Sequence, residues 1–141
     1  MRLRIAVLLV PLLACSGDLT APGIQGLEEQ RMRWSMLGFR DYDFVMAHGN
    51  EWFPTRAYRM QVRNRVVWRV LDAGGHSIAP DAYPLTIDSL FVRAKWALDT
   101  PENVVDLRFD VTRHYPTRLH WDAPQWADDA GWYFVYELTP R

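Results

Sequence analysis

Apolar and polar residues alternate over several short stretches of this chain and recur near a helical period in two others. From Asp41 to Ala47, Tyr42, Phe44 and Met46 fall on one side and Asp41 and Asp43 on the other, the period-two pattern of a half-buried strand that ends at His48-Gly49-Asn50. Further on, Tyr58, Met60 and Val62 oppose Arg59, Gln61 and Arg63, and Val66, Trp68 and Val70 resume the pattern. One long strand or a hairpin turning near Asn64 fits this stretch. The hairpin is preferred because Asn tolerates positive φ, although Arg65 stands where glycine is easier. Val105, Leu107, Phe109 and Val111 alternate with Asp106, Arg108 and Asp110, a further strand holds Leu119 and Trp121, and a last one runs from Trp132 to Leu138 with Trp132, Phe134, Tyr136 and Leu138 expected on one face.

Leu27 to Leu37 places Leu27, Trp34 and Leu37 near one helical face, and Thr86 to Leu98 carries a stronger signal. There Thr86 is the expected N-cap, Asp88 lies in the positive first turn, and Ile87, Leu90, Phe91, Ala94 and Leu98 share a face. The order helix-strands-helix-strands, with short links, predicts an α+β fold: an antiparallel sheet of about five strands with two helices on one face. The two halves suggest a pseudo-repeat in element order, without residue identity to support it.

The N-terminus changes the picture from an ordinary domain to an exported one. Arg2 and Arg4 precede an apolar run from Ile5 to Leu13, and small Ala14 comes before Cys15, the layout of an export signal. That run is too short for a membrane span, which takes roughly 20 apolar residues. Leu12-Leu13-Ala14-Cys15 resembles the lipobox of bacterial lipoproteins. The resemblance implies cleavage before Cys15 and acylation of its sulfur and new amine, so that the membrane partner is engaged through several acyl chains. Ser16 rather than aspartate follows the cysteine, which favours the periplasmic face of an outer membrane. Residues 1–14 are thus expected to be the signal peptide, 15–26 a lipidated, breaker-rich tether that lifts the domain off the membrane, and 27–141 one domain.

Loss of Arg2 and Arg4 leaves 14 basic against 17 acidic residues, a net charge of −3 with the amine blocked, which argues against a nucleic-acid partner. With its one cysteine acylated, the chain has no thiol for disulfide, zinc-thiolate or nucleophilic chemistry.

Leu85-Thr86-Ile87-Asp88-Ser89-Leu90-Phe91, the strand Val105 to Asp110, then Tyr115-Pro116-Thr117 with Asp122, Asp128 and Asp129 follow an order that resembles a family of small uncharacterised bacterial lipoproteins and secreted proteins of unknown function. In that family a Thr-Ile-Asp-x-Leu-Phe helix precedes a Tyr-Asp…Gly-Tyr-Pro turn and an acidic loop. This chain departs from it with Phe109 for the tyrosine, His114 for the glycine before Tyr115, and His48 to Pro54 where the family has cysteines. The resemblance implies location and fold, and no activity.

Candidate chemistry is sparse. Asp110 and His114, with His120, Asp122, Asp128 and Asp129, place carboxylates and imidazoles at strand ends, where they bind a hard cation or exchange protons if they converge. The alternative is that Asp110 caps a local turn. No His-Glu-x-x-His, Gly-x-Ser-x-Gly or phosphate loop is present. Of seven tryptophans, Trp34, Trp68, Trp121 and Trp132 are expected in the core, whereas Trp52 and Trp126 fall in loops and are the candidate ligand-stacking residues. Arg56, Arg59, Arg63, Arg65 and Arg69 form a basic stripe, expected to be a solvated sheet face. The reading that follows is a non-enzymatic envelope interaction module without cofactor or metal, meeting an envelope protein or glycan. The alternatives are a periplasmic glycan or small-molecule binder centred on Trp52 and Trp126, and, less favoured, a cation-dependent hydrolase around Asp110 and His114.

Overall fold

The structure is a computed structural model that describes residues 19–20, 23–50, 54–79, 85–123 and 130–141, the first pair by backbone alone. Strand β1 is Leu19–Thr20, helix α1 Gly23–Met36, and strands β2 to β5 are Tyr42–Asn50, Arg56–Arg63, Val66–Leu71 and Ser77–Ile78. Helix α2 is Ile87–Asp99, followed by β6 Val104–Phe109, β7 Pro116–Asp122 and β8 Gly131–Pro140. The fold is α+β, with all pairings antiparallel in the order β1-β6-β7-β8-β2-β3-β4-β5.

The sheet is larger than the expected five strands: seven follow α1, and β1 adds an eighth at one edge. Two-residue edge strands such as β1 and β5 display no alternation, so the hydrophobic pattern cannot announce them. The chain order also differs from the expected one, because a strand precedes α1. Both β1 and the first turn of α1 fall inside the stretch expected to be a free tether. Each half is a helix followed by a meander, but β8 lies beside β2, so β2 runs antiparallel to β6 and the halves are not related by a simple shift along the sheet.

One sheet face is the core. Cross-strand partners share a face, and successive residues alternate. Tyr42, Phe44 and Met46 of β2 therefore lie with Val62, Met60 and Tyr58 of β3, and with Val135 of β8, all buried. Helix α1 adds Leu27 and Trp34, and α2 adds Ile87, Leu90, Phe91, Ala94 and Ala97. Phe91 stacks on Phe109 with centroids 6.0 Å apart, and Trp34 meets Tyr42 edge-on at 5.6 Å, so both helices cover the same face. Thr86 caps α2 as expected, accepting from Ser89 N at 3.1 Å, while Thr86 N donates to the Ser89 hydroxyl, a capping box built with serine. The buried Tyr42 hydroxyl accepts from Ile87 N at 3.2 Å, and burial pushes its ionisation far up.

Two register shifts correct the expected faces. Between Val45–Tyr136 and Asp43–Thr139, β8 spends one residue more than β2, and Glu137 takes φ 56. That extra residue turns Leu138 into the core while Trp132, Phe134 and Tyr136 face the other way. Between Gln61–Arg69 and Val62–Val67, β4 likewise spends an extra residue on Trp68, which is 61% exposed rather than buried. The β3–β4 connection is the hairpin, with Asn64 at φ 51 and Arg65 at φ 65, both positive as a two-residue I′ turn requires.

Candidate functional site

The sequence-derived candidates Cys15, Trp52, Trp126, Asp128 and Asp129 lie outside the described residues. Of the described residues near Trp52 and Trp126 in the chain, Asn50 of β2 is paired with Gly131 of β8. Asp110 and His114 are at the opposite end of the sheet and build a turn. Asp110 Oδ1 accepts from Thr112 N at 2.9 Å and Arg113 N at 2.6 Å, its carbonyl accepts from His114 N, and its amide donates to Tyr115 O. His114 takes φ 63, the left-handed backbone that suits the glycine expected at this place, and its Nδ1 lies 2.9 Å from Oε1 of the buried Gln30 on α1. Asp110 Oδ1 and His114 Nδ1 are thus committed to the fold. Among the described residues no three His, Cys, Asp or Glu side chains are grouped closely enough to hold a metal ion.

The chemistry that the sequence pattern misses is on the sheet face away from the helices. Trp132, Phe134 and Tyr136 form a row along β8, opposite Gly49, Ala47 and Val45 of β2. On the other flank Arg118 of β7 lies with its guanidinium 5.5 Å from the Phe134 ring centroid, and the His120 ring is 6.4 Å from that of Trp132. Small residues on β2 are what let the row lie down: a Cβ at Gly49 would sit 2.9 Å from the Trp132 ring. Trp132 Nε1 donates to Thr55 Oγ1 at 3.1 Å in an exposed contact, and Tyr136 stays 42% exposed. The signal for this row was present in Trp132-Tyr133-Phe134-Val135-Tyr136, a run apolar on both faces of one strand.

Beyond the row, the arginine stripe divides. Arg59, Arg63 and Arg69 share the outer face, Arg56 pairs with His48 on the helix side, and Arg65 is in the turn. Arg59 meets Glu137 at 3.0 Å. Arg63 and Arg141 each hold the buried Asp43 carboxylate at 2.8 Å, which ties β3 and the end of the chain to β2. Arg118 reaches Asp106 at 2.9 Å. A buried carboxylate clamped by two guanidiniums is a structural device, because losing either partner leaves charge uncompensated.

On the helix side, rings run without a gap from α2 to β3. Trp96 meets Trp121 at 5.7 Å, Trp121 stacks on Tyr133 at 5.8 Å, and His48 lies between Tyr133 at 5.8 Å and Tyr58 at 5.7 Å. Burial, then the charge of Arg56, lowers the pKa of His48. A shallow depression of about 430 Å³ opens on α2 between Leu85, Ser89, Val92, Arg93 and Trp96. Its one hydroxyl, on Ser89, already serves the α2 cap, so the depression offers no convergent polar set.

The sequence profile of DUF6174, a family of unknown function, matches residues 26–140. The chain belongs to this family. DUF6174 therefore covers the domain from the first turns of α1 through β8, including the outer aromatic row and the Asp110 turn. No curated protein and no solved structure matches the chain.

Proposed function

We propose that this DUF6174 protein is an exported lipoprotein, held by acylated Cys15, that works as a non-enzymatic interaction module and binds an envelope protein through the outer sheet face. The observation that carries the reading is the row Trp132, Phe134 and Tyr136 on the outer face, half-buried at Trp132 and Phe134 and exposed at Tyr136, with Arg118 beside it and Arg59 across β2. Tryptophan, tyrosine and arginine are the residues that dominate protein–protein binding energy when a partner desolvates them. The short ladder spacing and the prearranged ion pairs present these groups on rigid strands, which lowers the ordering cost of association.

The sequence alone supports the anchor, through Leu12-Leu13-Ala14-Cys15. Cys15→Ser is expected to yield an uncleaved or freely soluble form, and unchanged membrane fractionation would sink the lipid reading. For the interaction surface, crosslinked pull-down from native envelope is expected to recover one dominant protein with the unaltered chain and to lose it with Phe134→Ser/Tyr136→Ser. Recovery of the same protein by both, or of nothing specific, overturns it. A glycan-binding reading rests on Trp52 and Trp126 as stacking residues and on the pairing of nearby Asn50 with Gly131. It predicts tryptophan quenching by envelope glycans that Trp52→Ala or Trp126→Ala abolishes.

A further inference from the structure

The register of β1 limits how far the domain stands from its anchor. Leu19 pairs with Phe109 and Thr20 with Arg108, so the chain running back from Leu19 leaves past the Phe109 end of β6. Four peptide steps join Leu19 to Cys15, a reach of at most about 14 Å. The anchor therefore belongs to one particular end of the molecule.

That end is a single connected surface. It gathers residues 37–41, the Asn64-Arg65 turn, the 110–115 turn and Arg141, because Tyr42 pairs with both Pro140 and Val62, Arg63 with Val66, and Phe109 with Pro116. Hydrogen bonds join its parts: Arg65 N to Arg40 O at 2.8 Å, Arg141 N to Asp41 O at 2.9 Å, and Arg113 Nη1 to Leu138 O at 2.7 Å. Its guanidiniums are Arg40, Arg63, Arg65, Arg113 and Arg141, of which Arg63 and Arg141 are paired with Asp43. Asp41 and Asp110 hold backbone amides of the turns, accepting from Asn64 N at 2.6 Å and Arg113 N at 2.6 Å, and with Asp43 they leave the arginines in excess. Apolar tips stand beside the arginines, with Val111 53%, Val66 65% and Met36 70% exposed, and the bulged Trp68 follows Val66 on β4. The far end carries Asp72, Asp99, Glu102 and Asp122 against Arg56 and Lys95, the last paired with Asp99 at 2.5 Å, and keeps an acidic excess.

We infer that the β1 end of the domain, with Val66, Trp68, Val111 and the arginines Arg40, Arg65 and Arg113, rests on an anionic phospholipid surface. This rests on the lipidation of Cys15 proposed above and adds an orientation to it. Valine tips enter the headgroup layer, the indole of Trp68 suits its polarity gradient, and the guanidiniums meet lipid phosphates. The acidic end is repelled from the same surface. The outer aromatic row then runs away from the membrane plane along β8.

The test uses the lipidated protein in vesicles of phosphatidylethanolamine with phosphatidylglycerol, carrying an environment-sensitive fluorophore on Val111→Cys or His76→Cys. With Cys15 acylated, the introduced thiol is the sole one. Quenching by spin-labelled lipid is expected to be several-fold stronger at position 111 than at 76. Adding Arg65→Glu, on an exposed turn, weakens the hold of this end about fivefold and lowers the quenching at 111, while the protein stays on the vesicles. Equal quenching at both positions, or quenching indifferent to Arg65→Glu in a variant that keeps its circular dichroism and melting temperature, overturns the orientation with the anchor intact. A failed anchor reads differently, as unaltered protein absent from the membrane fraction.

Discussion

Arg65 occupies a left-handed backbone at φ 65 in the β3–β4 turn, a conformation that costs a residue with a Cβ about 1–2 kcal/mol and glycine almost nothing. Its amide bond to Arg40 O uses the main chain alone. Arg65→Gly is therefore expected to stabilise the domain by about 0.5–1 kcal/mol, part of the relief being offset by the greater freedom of glycine in the unfolded chain; a midpoint in urea that stays put or falls refutes this. His48 gives the second prediction at this scale. Burial and Arg56 hold its pKa below the ordinary 6.5, so the unfolded chain takes the proton first. Stability from this group is complete above pH 6.5 and is lost as the pH falls below that value and through the depressed pKa. Melting curves should accordingly show a smaller loss from neutral to mildly acid pH in His48→Asn than in the unaltered chain, and parallel losses exclude the assignment. Neither effect is visible in the sequence, where Arg65 reads as part of a basic stripe and His48 as the end of a strand.

Elements were legible in the sequence where periodicity is local and hidden where a bulge intervenes. Helix α2 and its Thr86 cap follow from residues that touch one another along the chain, and so does the Asn64 hairpin, because turn conformation depends on two residues. The faces of β4 and β8 do not. A single extra residue at Trp68 or Glu137 inverts everything beyond it, and what places that residue is the neighbouring strand. Two glycines record the same dependence on a neighbour. A Cβ at Gly131 would lie 2.3 Å from Trp121, which is stacked on Tyr133 and wedged against Trp96, whereas one at Gly49 would meet the outer ring of Trp132 at 2.9 Å. Gly131→Ala is expected to cost about 2–3 kcal/mol, and Gly49→Ala less, about 1 kcal/mol or under, since the outer ring can lift into solvent. Equal costs in chemical denaturation would show that Trp121 moves as freely as Trp132.

At the scale of the whole molecule, the sheet has one face for the core and one that carries the aromatic row, and its two ends differ in charge. The expected candidate at Asp110 and His114 was legible as residue types, yet the turn uses both for its own backbone and for Gln30. The aromatic row was legible only as an excess of apolar residues in β8. From the sequence alone come the lipobox resemblance on which the proposed anchor rests, the α+β class, the two helices and most strand segments, because these depend on composition and on neighbours within a few residues. Tertiary structure decided which side of β8 meets solvent, that β8 lies beside β2, and that β1 binds the edge of β6 where a free tether was expected. The physical reason is that strand pairing joins residues far apart in the chain, as with Leu19 and Phe109, through main-chain hydrogen bonds that carry no mark of side-chain identity.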